Sequence, residues 1–268
     1  MTDLLREDLF GQYSPVAMAI ARLREKEPLA LAHHPDGYYL AFSGGKDSIV
    51  IKDLAIRAGV KFTAHMSLTT VDAPELLKYV RTHHRDVELV KPKTSMWQLI
   101  KKKMMPPTRT VRFCCKELKE RGGKGRYVIT GVRWSESVKR SKRKIFEQCL
   151  TSKTTQYVNP IIDWSDEDVW EYIRERKLPY CCIYDEGFTR IGCIGCPMAG
   201  KGRIKEFERW PQYERAYRTA FAAAAANRQR LGINYDGNHV RWKDGEEMFN
   251  WWMEDVHPVV DEDETLFG

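Results

Sequence analysis

The stretch Tyr38-Tyr39-Leu40-Ala41-Phe42-Ser43-Gly44-Gly45-Lys46-Asp47-Ser48 decides the fold. Its first five residues, set off by Pro35 and Gly37, read as a buried strand. The strand runs directly into Ser43-Gly44-Gly45, and the apolar spacing from 48 to 57, closed by Gly59, predicts a helix. A strand that hands small residues to a helix start leaves backbone N–H groups uncovered at the positive end of the helix dipole. That arrangement seats phosphate. Gly44 and Gly45 let the backbone approach closely, Ser43 and Ser48 offer hydroxyls, and Lys46 adds a charge. The Walker A loop separates its first glycine from Gly-Lys by four residues, so this is a different motif. The plain alternative is an ordinary glycine-rich turn; six consecutive residues in the right setting speak against it.

Working outward, strands are expected at 61–67, 87–90, 127–130 and 157–162, and helices at 17–23, 74–82, 95–103 and 165–176. Alternation of this kind argues for a mostly parallel sheet covered by helices. Beyond Gly202 only helical patterns follow, at 204–210, around the alanine tract 222–226, and at 245–254. The expected organisation is an N-terminal helical segment (1–36), a nucleotide-binding domain with a cysteine cluster (37–200) and a helical C-terminal subdomain (201–268). The acidic run Asp261-Glu262-Asp263-Glu264 is expected to fray.

The chain of 268 residues is long enough for one substantial core and a small subdomain, and 43% hydrophobic with 30% charged residues marks a globular protein. No apolar run is long enough to span a bilayer, and Met1-Thr2-Asp3-Leu4-Leu5-Arg6-Glu7-Asp8 lacks the apolar stretch of a secretory signal. A cytoplasmic setting away from membranes is expected, in which seven cysteines are buried, metal-bound or reactive thiols rather than disulfides. Net charge is +7, and residues 116–144 alone hold eleven Lys and Arg against Glu117, Glu120 and Glu136. Such a window suits phosphates of a nucleotide or a nucleic acid, although a solvated face explains many charge runs.

Ser43-Gly44-Gly45-Lys46-Asp47-Ser48 resembles the PP-loop of the ATP pyrophosphatases, or adenine nucleotide alpha hydrolases, which cleave ATP between its α- and β-phosphates. Thr70-Val71-Asp72-Ala73-Pro74-Glu75, the run from Gly131 through Arg133 to Arg140, Trp164-Ser165-Asp166-Glu167-Asp168-Val169-Trp170, and Tyr184-Asp185-Glu186-Gly187-Phe188 with Ile191-Gly192-Cys193 resemble successive blocks of the phosphoadenosine-phosphosulfate (PAPS) reductase branch. The resemblance covers about residues 38–198. It implies an α/β fold, a Rossmann-like parallel sheet flanked by helices, adenine nucleotide alpha hydrolase-like, with the helical C-terminal subdomain outside it. It also implies an adenine nucleotide bound by Ser43 to Ser48 with Gly131 and Arg133, and anionic substrate groups bound by Arg133 and Arg140 through bidentate guanidinium geometry. Trp164, Trp170, Trp251 and Trp252 read as packing residues.

Cys193-Ile194-Gly195-Cys196 is a chelating hairpin, and Cys114-Cys115 supplies a second pair upstream. Spacing alone does not separate zinc from an iron–sulfur cluster. Adjacent cysteines suit a cluster better, because neighbouring thiolates diverge toward separate iron corners. The same pattern resembles assimilatory adenylylsulfate reductases, and that resemblance implies a 4Fe-4S cluster on Cys114, Cys115, Cys193 and Cys196. Cys181 is an alternative to one member of the first pair, and Cys149 and Cys182 read as structural.

Two departures from the reductase pattern set the expected reaction. Those reductases use a nucleophilic cysteine in a C-terminal tail, and no cysteine follows Cys196 here. They also carry a degenerate phosphate loop, whereas this one is the full ATP type. The expectation is ATP-dependent adenylation of an acceptor, with Lys46 and Asp47 catalytic, Mg2+ bridging the phosphates, and AMP then displaced by sulfur. The acceptor in such enzymes includes nucleic acid, and the sulfur donor includes proteins such as a cysteine desulfurase. The alternatives are a reductase making sulfite from adenylylsulfate or phosphoadenylylsulfate through Cys181 or Cys182, and a non-catalytic module binding nucleotide and cluster.

Overall fold

A computed structural model describes residues 4–8, 11–119, 122–149, 152, 154–233, 235–236 and 239–254. Met1 to Asp3 and the acidic run at 261–264 lie outside the described residues. The elements begin with β1 (Arg6–Asp8), β2 (Gly11–Tyr13), α1 (Pro15–His33), β3 (Tyr38–Ala41), α2 (Lys46–Ala58), β4 (Phe62–Ser67), α3 (Pro74–His83) and β5 (Glu88–Val90). Then come α4 (Met96–Lys103), α5 (Phe113–Leu118), β6 (Tyr127–Ile129), α6 (Val138–Ser141), β7 (Phe146–Gln148), β8 (Gln156–Val158) and α7 (Asp166–Glu175). The chain continues with α8 (Gly202–Arg209), α9 (Pro211–Arg230), β9 (Tyr235–Asp236), β10 (His239–Val240) and α10 (Gly245–Met253). It divides into two compact units that interleave in sequence: Met1–Ser67, Pro74–Val90 and Arg121–Ile191 form the first, and Leu68–Ala73, Lys91–Glu120 and Gly192–Gly268 the second.

In the first unit the described residues form a six-stranded sheet ordered β5-β4-β3-β6-β8-β7. All neighbours are parallel except β7, which runs antiparallel to β8. From β3 the chain goes next to β4 on one side, and later places β6 on the other. The strand order therefore switches direction at the carboxyl ends of β3 and β6, the place where open α/β sheets bind ligands. The phosphate loop leaves β3 at that point, and Gly131 and Arg133 follow β6.

Burial explains the strands. Tyr38 and Leu40 on β3 are fully buried, as is Ile129 on β6. Helix α2 starts at Lys46, two residues earlier than the predicted helix, so Lys46 and Asp47 belong to its first turn; Gly59 ends it at φ 70. Helix α1 is longer than the predicted 17–23, because it continues through Pro28 to His33. Leu23 and Ala30, on either side of that proline, are fully buried, and their packing outweighs the lost backbone hydrogen bond. Strand β8 stops at Val158, short of the predicted 162, where Pro160 removes a ladder donor. Ser165 caps α7 through a reciprocal capping box with Asp168. This matters for the site, since α7 begins with Asp166.

The second unit is mostly helical. Its core is aromatic, with Tyr217, Phe221 and Trp252 all fully buried. The Trp252 indole donates to the Pro107 carbonyl at 2.7 Å. Gly245 starts α10 where a Cβ would fall 2.3 Å from the Ala222 backbone, so a residue without one is needed for α9 and α10 to pack. Among the described residues no helix is long and apolar enough to cross a membrane.

Candidate active site

The phosphate loop turns at Gly44, which sits at φ 75 with the α3 residue Leu76 against it; a Cβ would lie 2.5 Å from Leu76 Cδ1. Gly45 is the N-cap of α2 and brings no side chain of its own to cap it. Ser43 Oγ accepts from Gly45 N at 3.3 Å, and Ser48 Oγ donates to the Gly45 carbonyl at 2.8 Å. The two hydroxyls thus tie the loop to the first turn of α2. Lys46 N donates to the Tyr184 hydroxyl at 2.9 Å.

Four charged side chains form one network at the loop. Lys46 Nζ lies 3.2 Å from Asp166 Oδ1 and 3.4 Å from Asp47 Oδ2. Arg133, only 1% exposed, places Nε 2.7 Å from Asp47 Oδ1 and an NH2 nitrogen 2.6 Å from Asp166 Oδ1. Its other NH nitrogen donates to Ser135 Oγ at 2.9 Å and to the Trp164 carbonyl at 3.3 Å. Burial opposes the Arg133 charge, but Asp47 and Asp166 outweigh it and hold the guanidinium more basic than usual. For Asp166, partial burial is likewise outweighed, by hydrogen bonds from Arg133 and Lys46, and its carboxyl is held below the usual range. Two cations and two anions leave the network close to neutral. Gly131 packs closely beside it, since a Cβ there would lie 3.0 Å from the Asp47 Cβ.

Of the sequence-predicted nucleotide residues, Ser43, Gly44, Gly45, Lys46, Asp47, Ser48, Gly131 and Arg133 are brought together. Arg133 faces protein carboxylates rather than solvent. Arg140 is drawn elsewhere: it pairs with Glu136 on a partly exposed turn. Asp166 and Tyr184 are the residues that site reasoning from sequence missed. Both lie in blocks that carry the family resemblance, yet nothing in their spacing marks them as neighbours of the loop.

One turn further along α2 and its surroundings, Lys52 Nζ donates to Asp86 Oδ1 at 2.7 Å and to His84 Nδ1 at 3.1 Å. Tyr79 donates its hydroxyl to the Pro179 carbonyl at 2.7 Å, so it accepts from His84 Nε2, also at 2.7 Å. The buried ring is therefore neutral with its proton on Nε2. Burial, reinforced by Lys52, pushes its pKa down to about 4.

The second unit holds the four predicted ligand cysteines. Cys193 pairs its backbone with Asp72, and Ile194 N donates to the Val71 carbonyl at 2.8 Å. Gly195 makes the turn at φ 74, where a Cβ would meet the Tyr217 ring at 2.6 Å, and Cys196 N closes it on the Cys193 carbonyl at 3.2 Å. Helix α5 presents Cys114 and Cys115 on the same small cavity, which Cys193, Cys196, Lys119 and Tyr217 also line. Cys193 donates to Thr69 Oγ1 at 3.4 Å, and Thr69 Oγ1 donates to Asp72 at 2.7 Å. A hydrogen bond from Cys114 holds the Cys115 thiol below the usual value, with Arg112 and Lys119 assisting, and Cys114 is pushed up in return. Burial raises Cys193. The donor set fits a metal cluster in number and chemistry. Even so, among the described residues no three His, Cys, Asp or Glu side chains are drawn into metal-holding geometry.

Cys181 belongs to the first unit, fully buried, and burial pushes its thiol up to about 11; Cys182 beside it is exposed. Of the basic window, Arg126 donates to the carbonyls of Gly37 and Tyr38, Arg143 pairs with Glu147, and Lys142 and Lys144 are exposed.

A mostly parallel sheet with a glycine loop at its switch point, and a charged network across the loop, defines an α/β protein with its candidate site at the switch point. The sequence model of the phosphoadenosine phosphosulfate reductase domain matches residues 37–199, and the chain belongs to that family. An uncharacterized protein of Methanocaldococcus jannaschii is 29% identical over 223 residues, 76% of this chain and 45% of the relative. The adenosine 5'-phosphosulfate reductase of Oceanobacillus iheyensis is 43% identical over 68 residues, 25% of this chain and 28% of that enzyme. The chain thus spans less than half the length of these curated relatives. Among solved structures, the phosphoadenylyl-sulfate reductase of Candida auris, in a phosphate complex, is similar at 23% identity and TM-score 0.48, covering 63% of this chain and 87% of that one.

Proposed function

We propose that the protein is an ATP-dependent adenylating enzyme that releases pyrophosphate and couples the activated acceptor to sulfur transfer. The observation that carries this reading is the complete loop from Ser43 to Ser48, seated at the switch point on an α2 start whose N-cap is a glycine with no side chain of its own. A polyphosphate leaving group needs uncovered N–H donors and a cation held in place before it arrives. Lys46 supplies the cation. Arg133 acts as a positioning residue, holding Asp47 and Asp166 in fixed orientation, and those two carboxylates are the residues that would hold a Mg2+ entering with the nucleotide.

In the first step an acceptor oxygen attacks the α-phosphorus, the bond to the bridging oxygen breaks, and pyrophosphate leaves. In the second a sulfur nucleophile attacks the activated carbon, the C–O bond breaks, and AMP leaves. Cys114, Cys115, Cys193 and Cys196 are the residues that would hold a 4Fe-4S cluster, whose chemistry here is sulfur carriage. The acceptor in this reading is nucleic acid, met by the exposed Lys142 and Lys144.

A second reading, sulfite formation, is favoured by the 43% identity to an adenosine 5'-phosphosulfate reductase over 68 residues. In that case Cys182 is the nucleophile of choice, because it is exposed while the Cys181 thiol is buried and weakly acidic. ATP labelled at its α-phosphate separates the two readings. AMP and pyrophosphate formed with an RNA or DNA acceptor and a persulfide donor support adenylation. Sulfite released from adenylylsulfate without ATP overturns it.

A further inference from the structure

Tyr184 stands at the centre of the phosphate loop, and nothing in the reaction so far uses it. Its hydroxyl accepts the Lys46 N–H at 2.9 Å, and a Cβ on Gly45 would lie only 3.3 Å from the same oxygen. The phenol therefore occupies the first turn of α2, where the loop's donors converge. Helix α7 holds it there. The Trp170 ring meets the Tyr184 ring edge-on at 5.0 Å, and Asp166, four residues earlier on the same helix face, bridges Lys46 and Arg133. One helix thus fixes both the carboxylate and the phenol that border the loop. The backbone around Tyr184 is fixed as well: its N–H donates to the Cys181 carbonyl, and Gly187 N donates to its carbonyl.

A tyrosine hydroxyl has one proton to donate besides the lone pairs with which it accepts. Here a lone pair is taken by Lys46 N–H, and among the described residues the proton goes to no acceptor. Burial keeps the phenol protonated, with Asp47 and Asp166 nearby adding to the effect. A hydroxyl that accepts from a helix-start N–H becomes a stronger donor through it, because consecutive hydrogen bonds polarise one another. We propose that Tyr184 is a phosphate-binding residue, relaying the Lys46 N–H dipole through its own O–H to a phosphate oxygen of the bound nucleotide. The inference rests on the reading that the Ser43 to Ser48 loop binds a nucleotide polyphosphate. The rival role for the same contact is a plug, in which the phenol merely covers the N–H and must leave before phosphate arrives.

The two roles predict opposite signs for Tyr184→Phe, which keeps the ring and its packing against Trp170. Binding of ATP and of adenosine to the full chain is measured by calorimetry, wild type against variant. A hydrogen bond to a charged group contributes enough that ATP affinity should fall about tenfold. Adenosine, which lacks phosphate, should bind equally to both proteins, a result that general damage to the fold would not leave intact. ATP binding unchanged or tightened in Tyr184→Phe overturns the proposal in favour of a plug. Equal weakening of ATP and adenosine also overturns it. If the wild type binds adenosine and ATP with the same affinity, the loop does not read phosphate, and both the loop reading and this inference fail.

Discussion

The phosphate loop and the cysteine cavity carry the chemistry proposed for this chain, and they are built differently. At the loop every charge has a protein partner: Lys46 and Arg133 meet Asp47 and Asp166 at 2.6–3.4 Å. At the cavity four thiols and the Lys119 ammonium share one space, and the hydrogen bonds run among the sulfurs themselves, from Cys114 to Cys115, and between Lys119 and Cys193. The polypeptide alone completes the first arrangement. The second gathers soft sulfur donors, the chemistry that the proposed cluster would draw on.

The largest effect expected of this contrast is all-or-none. Protein purified without oxygen should contain about four irons per chain, on the cluster chemistry of paired thiolates. Cys193→Ser should abolish it, and Cys181→Ser should leave it in place. Stoichiometric zinc in place of iron, or iron that survives Cys193→Ser, would break the assignment of the cavity.

Next in size is Lys46→Ala. Removing one preorganised electrostatic stabiliser should lower the rate of AMP formation on the order of a hundredfold or more, with a smaller loss in nucleotide affinity. An equal loss in both would mean that Lys46 binds the ground state and the transition state alike.

His84 tests whether the first unit is self-contained in its pH response. The unfolded chain protonates this histidine near its ordinary value of 6.5, the folded chain only at about 4. Its contribution to stability is therefore complete above pH 6.5 and is lost as pH falls toward 4, by about 3 kcal/mol. Denaturant unfolding should show that slope in the wild type and a flattened one in His84→Gln. A slope that persists in the variant places the acid sensitivity elsewhere.

The loop was legible because local chemistry defines it: Tyr38 to Phe42 and the six residues that follow carry their own strand, turn and helix signals. Ser95 and Ser165 announced α4 and α7 in the same way, through capping boxes with Gln98 and Asp168. What escaped is held by contacts distant in sequence. Asp166 reaches Arg133 across 33 residues and Tyr184 reaches Lys46 across 138, distances over which periodicity carries no information. Helix α5 escaped because six residues are too few to show a period. Strand β7, three residues at a sheet edge after a run of bases, escaped for the same reason. The pattern of the cysteines was legible, and their meeting on one cavity followed. Which metal they would hold was not, since spacing alone does not separate zinc from iron.

The smallest effect concerns the basic window. Within it Arg133 is buried, whereas Lys142 and Lys144 are exposed. Lys142→Glu with Lys144→Glu should weaken single-stranded nucleic acid binding several-fold and reduce its salt slope by about two. Unchanged binding would make these lysines a solvated face.

In the proposed reaction the loop performs adenylation by itself while the cysteines serve only the sulfur step. Exchange of labelled pyrophosphate into ATP, run with acceptor but without a sulfur donor, tests it directly. Exchange should run at comparable rates in the wild type and in Cys193→Ser and be lost in Lys46→Ala. Exchange that disappears in Cys193→Ser, or wild-type turnover that yields ADP and orthophosphate with no exchange, would contradict it.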